Sequence, residues 1–203
     1  MTDQLKIIQG DIAFLKSLAE EGGAPAALGG SIMVAAGVIF GAASVGHWLV
    51  QTGRIAASPW AFAGIWIGAM VLFMITVTGL KRRAGGFKGG GARASGMAWA
   101  GVGWTIFALW GSVAIVCWRA HSLVPTLLFP SIILALYGLG WMVGAAVSGK
   151  RWIWLTSIVS YLMALIVAWF SMASGVMLIF AAALLLLAVA PGLALMRSAA
   201  TAA

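Results

Sequence analysis

A chain of 203 residues that is 63% hydrophobic and only 8% charged, with a mean hydropathy of +1.08, lies far from soluble domains, where about a quarter of residues carry charge. Its solvent is mostly lipid, since each charge at a helix centre costs about 2.5–3.5 kcal/mol on insertion scales. The net charge of +8 does not point to nucleic acid, because the cations lie at the ends of apolar runs where they face anionic headgroups, and the single Cys117 excludes an intrachain disulfide or a cysteine-only metal site.

The first element is unlike the rest. Over residues 3–21 a helical period places Leu5, Ile8, Ile12, Leu15 and Ala19 on one side, extended by Ile7, Phe14 and Leu18. Residues 1–22 therefore read as an amphipathic helix on the cytoplasmic side, too polar to span, lying on the membrane or docked on the bundle. Asp11 falls inside its apolar half. A carboxylate there needs a partner, and Arg82, Arg83 or Arg93 is the nearest supply; fraying at Gly10 would instead let it reach water. Residues 23–30 read as a Gly/Pro linker.

The expected architecture is all-α and polytopic, a bundle over residues 31–197 with six spans near 31–52, 60–80, 96–118, 124–148, 152–172 and 176–196, and a short tail at 198–203. The first run follows an acidic segment and is long enough to span, so it reads as a retained helix rather than a cleaved signal. Three successive hairpins result, with an aromatic pair recurring as Phe40 with Trp48, Trp110 with Trp118, and Tyr161 with Trp169; a parallel repeat and common membrane constraints both account for it.

Between the second and third spans, Lys81, Arg82, Arg83, Lys88 and Arg93 stand without an acid. With both termini inside, these five join Lys6, Lys16, Lys150, Arg151 and Arg197, leaving only Arg54 and Arg119 outside. That asymmetry predicts a bacterial-type inner-membrane protein with cytoplasmic termini. Trp48, Trp60, Trp118 and Trp169 would mark the outer interface, and Trp99, Trp152 and Trp154 the inner one. Gly37 with Gly41, Gly64 with Gly68, and Gly140 with Gly144 predict close helix contacts. Pro130 and Pro191 predict kinks whose freed carbonyls need another donor.

The chemistry is narrow. All four acids, Asp3, Asp11, Glu20 and Glu21, precede the first span, so no carboxylate can relay protons within the bilayer. His47 and His121 with Cys117 give at most three ligands at the outer face, short of what zinc or haem sites normally use; no cofactor is expected. A rhomboid-type serine–histidine dyad cannot assemble, because no histidine follows Ser174 and Ser95 lies across the membrane from His121. The glycine-rich stretch at 85–93 matches neither a phosphate loop nor a dinucleotide turn and reads as a flexible basic linker.

The expectation is a non-enzymatic protein acting in regulation, assembly or lipid contact. Asp11, Lys81, Arg82, Arg83, Lys88, Arg93, Lys150 and Arg151 are the candidates for contact with anionic headgroups, a protein partner or a second copy. The alternatives are a small channel or facilitator for an apolar or weakly polar solute, lined by Ser, Thr and Trp, and a haem or metal protein using His47, Cys117 and His121.

Overall fold

The computed structural model describes residues 2–58, 60–86 and 90–201, with side chains from residue 26 onward. Helix α1 runs Thr2–Gln51, α2 Trp60–Ala84, α3 Gly90–Ala120, α4 Phe129–Ser148, α5 Arg151–Trp169, α6 Val176–Leu184 and α7 Ala190–Ala200. A 3₁₀ turn, Val124–Leu128, leads into α4, and a π-helical turn, Leu185–Val189, joins α6 to α7. Among the described residues six helical segments are long and apolar enough to cross a bilayer: Ala26–Gln51, α2, α3, Val124–Ser148, α5 and Val176–Ala200. The chain is a multi-pass membrane protein by that criterion.

The expected break at residues 23–30 does not occur, and α1 is helical throughout. At its base the glycines serve packing rather than flexibility. Leu28 and Gly30 are buried, and a Cβ on Gly30 would stand 2.5 Å from the carbonyl oxygen of Gly192, while a Cβ on Gly192 would stand 2.7 Å from that of Gly30. Only two hydrogen side chains allow these backbones to meet. Fifty residues at about 1.5 Å each make α1 about 75 Å long, well beyond the hydrocarbon thickness of about 30 Å.

Helix α3 likewise starts at Gly90 instead of Gly96, so Arg93 lies in its first turn and part of the supposed flexible linker is helix. Gly85 and Gly86, both at positive φ, close α2. Lys88 lies outside the described residues.

The two span prolines behave differently. Pro130 does not kink a helix, because α4 begins at Phe129 and Pro130 occupies its first turn, where a missing N–H leaves nothing unpaired. Pro191 does mark a break: the π-helical turn precedes it and α7 starts around it.

Residue contacts show which helices run antiparallel. Helix α1 meets α2 through Phe40 with Phe73 and His47 with Trp66, and meets the sixth span through Gly30 with Gly192 and Gly37 with Leu184 and Val189. Helix α4 meets α5 through Ser131 with Ala164 and Gly138 with Ser157, and meets α3 through Trp99 and Gly91. Of the successive pairs, α1 lies against α2 and α3 against α4, whereas α5 barely touches the sixth span, which lies chiefly along α1 while α5 lies chiefly along α4. Leu134, Val167, Phe180, Leu184 and Leu187 fill the interior with almost no exposure. By contrast α2 and α3 are outriders, with 6% of their spanning windows buried against 50% for the sixth span.

Gly37 and Gly140 sit at close contacts, and a Cβ on the latter would stand 3.0 Å from the Trp99 ring. A Cβ on Gly64 or Gly68 would meet nothing within 4 Å beyond its own helix, so the packing expected of that pair is absent among the described residues of one chain.

Candidate functional site

The exposed cations gather where the helix ends require solvent. Lys81, Arg82 and Arg83 occupy the last turn of α2, Arg93 the first turn of α3, Lys150 and Arg151 the start of α5, and Arg197 the last turn of α7; all seven are exposed. The antiparallel contacts place these ends together, because Gly91 of α3 faces Val147 of α4, just before Lys150, and the α7 end carrying Arg197 lies beside Gly30. A helix dipole welcomes cations at its C-terminus and disfavours them at its N-terminus. Cations here sit at both kinds of terminus, so a common side of the bundle, not the dipole, explains their placement.

The side chain of Asp11 lies outside the described residues, as do those of Lys6 and Lys16. The structure therefore brings Lys81–Arg83, Arg93, Lys150 and Arg151 to one end and leaves the Asp11 pairing undescribed.

At the opposite end His47 is engaged in packing. Its Nδ1 accepts a hydrogen bond from the Trp66 indole N–H at 3.1 Å, and its ring lies 4.6 Å from that of Phe62. Arg54 stands 4.5 Å above the Trp48 ring, a cation–π contact. His121 has a different task. It adopts φ 47°, its N–H points to the Trp118 carbonyl, and the Ser122 N–H reaches the Cys117 carbonyl at 3.1 Å. That pattern is a Schellman closure of α3 with histidine in the left-handed position usually given to glycine. The same closure uses Gly53 at the end of α1. Trp118, Arg119 and His121 line a shallow depression of about 280 Å³. Among the described residues no group of three His, Cys, Asp or Glu side chains could hold a metal ion; His47, Cys117 and His121 do not form one.

Inside the bundle, polar side chains cross between helices. Ser131 Oγ donates to Ala164 O and Ser157 Oγ to Gly138 O, both at 2.7 Å, tying α4 to α5. Trp141 Nε1 donates to Leu187 O at 2.9 Å, tying α4 to the π-helical turn. Trp99, expected at the inner interface, is instead wedged edge-on between the rings of Tyr137 and Trp141, with centroids 5.3 and 5.1 Å away. Tyr137 and Trp141 were not singled out by the sequence. Their signal was weak: a large aromatic within a turn of Gly138 and Gly140, where a neighbour can approach.

Comparison with protein-family models, curated proteins and solved structures yielded no match.

Proposed function

We propose that the protein is a non-enzymatic inner-membrane protein with both termini cytoplasmic, whose N-terminal helix and basic bundle end together form a docking surface for assembly or regulation. The observation that carries this reading is the segregation of charge: seven exposed cations share one end of the bundle, and every acid of the chain lies on the helix that rises from that end. Positive charge retained on the cytoplasmic side accounts for the orientation, and clustered Lys and Arg beside the spans attract anionic headgroups at about 1 kcal/mol each.

Continuity of α1 supports a docking role. Positions 12, 15 and 19 lie eighteen residues, five turns at about 3.6 residues each, before Gly30, Met33 and Gly37. On the helical period these positions fall in register with the α1 residues that pack into the bundle. A filled interior supports a docking role over conduction, since Leu134, Val167, Phe180 and Leu184 occupy the space a pore would need.

The test is deletion of residues 1–21 in an otherwise intact chain, with quantitative comparison of proteins and lipids co-purified in mild detergent. Loss of a specific component with unchanged bundle stability is expected. An unchanged set of proteins and lipids sinks the reading.

A further inference from the structure

Three side-chain donors within the bundle, on Ser131, Ser157 and Trp141, are spent on carbonyls of neighbouring helices. The Tyr137 hydroxyl, like the Trp99 indole N–H, has no such carbonyl partner among the described residues. Tyr137 stands midway along the Val124–Ser148 span and only 7% of its surface is exposed, yet its hydroxyl makes no hydrogen bond among the described residues. No sealed side-chain nitrogen or oxygen among them is left without a partner, so this hydroxyl cannot be sealed either. The small exposed part of Tyr137 must include its oxygen.

At mid-span the surrounding medium is hydrocarbon. A hydroxyl moved from water to a medium without acceptors costs about 4–8 kcal/mol, and water is not there to relieve it. The neighbourhood suits an apolar guest. Trp99 stands edge-on to the Tyr137 ring, and α3 is anchored on α4 with little else around it, its spanning window only 6% buried. Most of the α3 surface beside this donor is thus left to the surrounding lipid.

We propose that Tyr137, flanked by Trp99, is a binding site for the carbonyl-type oxygen of an apolar amphiphile that enters from the bilayer alongside α3. The tyrosine hydroxyl donates to that oxygen, and the Trp99 face packs on the adjoining apolar part. Two sources carry such chemistry, a quinone-type ring and the acyl ester of a phospholipid. The site is independent of the docking surface, which lies at the bundle end.

The test uses the full-length protein in detergent with two probes, a decyl-substituted benzoquinone and a short-chain diacyl phospholipid. Thermal shifts are titrated for the parent and for Tyr137→Phe, which removes only the oxygen. One or both probes should stabilise the parent, and Tyr137→Phe should weaken that probe about tenfold, the equivalent of one hydrogen bond. Weakening confined to the quinone identifies a quinone-type ligand, and weakening confined to the phospholipid identifies an ester. A readout that does not rely on the variant's folding is the infrared stretch of a ¹³C-labelled probe carbonyl, which should move to lower frequency on binding the parent. Equal binding to parent and variant, absence of binding by both probes, or an unshifted carbonyl stretch overturns the proposal.

Discussion

Trp141 supplies to Leu187 the hydrogen that Pro191 cannot. Leu187 lies four residues before Pro191, so in a regular helix its carbonyl would accept the N–H of residue 191; the indole of Trp141 reaches it at 2.9 Å. Both ends of the bond are buried, Trp141 at 2% and Leu187 at 1% exposure. Trp141→Phe should keep the packing and orphan the carbonyl, lowering stability by about 1–2 kcal/mol. Pro191→Ala restores a backbone donor, so the double variant should recover part of that loss. Equilibrium unfolding in mixed detergent micelles measures both, and an undisturbed Trp141→Phe midpoint would refute the assignment.

Two glycines within the spans should respond oppositely to alanine. Gly30→Ala puts a methyl against a backbone oxygen that cannot rotate away, and the overpacking should cost about 1–3 kcal/mol. Gly64→Ala meets nothing within 4 Å and should be neutral or stabilising by up to about 1 kcal/mol through helix propensity. A similar loss at both positions in monomeric protein would contradict the packing described.

The two serine bridges between α4 and α5 should be modest and separable. Ser157→Ala and Ser131→Ala each remove one interhelical bond, worth about 0.6 kcal/mol in membrane proteins. Because the two bonds lie at different levels of the helix pair, the double variant should be additive within about 0.5 kcal/mol. A strongly cooperative loss in unfolding titrations would show that they act as one network.

His121→Gly separates a helix closure from a ligand. A residue without Cβ relieves left-handed strain of about 1 kcal/mol, so stability should hold or rise. His121→Val, β-branched at φ 47°, should lower it. The thermal midpoint decides, and a fall on His121→Gly would indicate that the imidazole itself makes a needed contact.

The legibility of this chain in its sequence depended on the range of the interaction. Spans were readable because twenty apolar residues fit a bilayer whatever their neighbours. Pro191 was readable as a break because the missing N–H is a local fact. Its replacement donor was not, since Trp141 lies in another span and reaches Leu187 across 46 positions. Gly30 misled for the complementary reason. A glycine run in isolation reads as a linker, and only the partner glycine at 192 shows that the chain needs contact rather than freedom there. Trp99 and His121 carried interfacial expectations from residue type, whereas a neighbouring glycine and a positive φ determined their actual roles.

The sparse attachment of α2 and α3 bears on how the molecule opens. Cooperative units differ in stability according to the apolar contacts they bury, and here α1, α4, α5 and the sixth span hold the filled interior while the connected pair α2–α3 is fastened through α1 at one side and α4 at the other. Amide exchange should accordingly proceed in two tiers, with α2 and α3 exchanging through partial detachment and the inner four spans only through global unfolding. The basic connection between α2 and α3 is then carried on the least constrained part of the bundle, where a bound partner would change local opening rates without having to deform the interior.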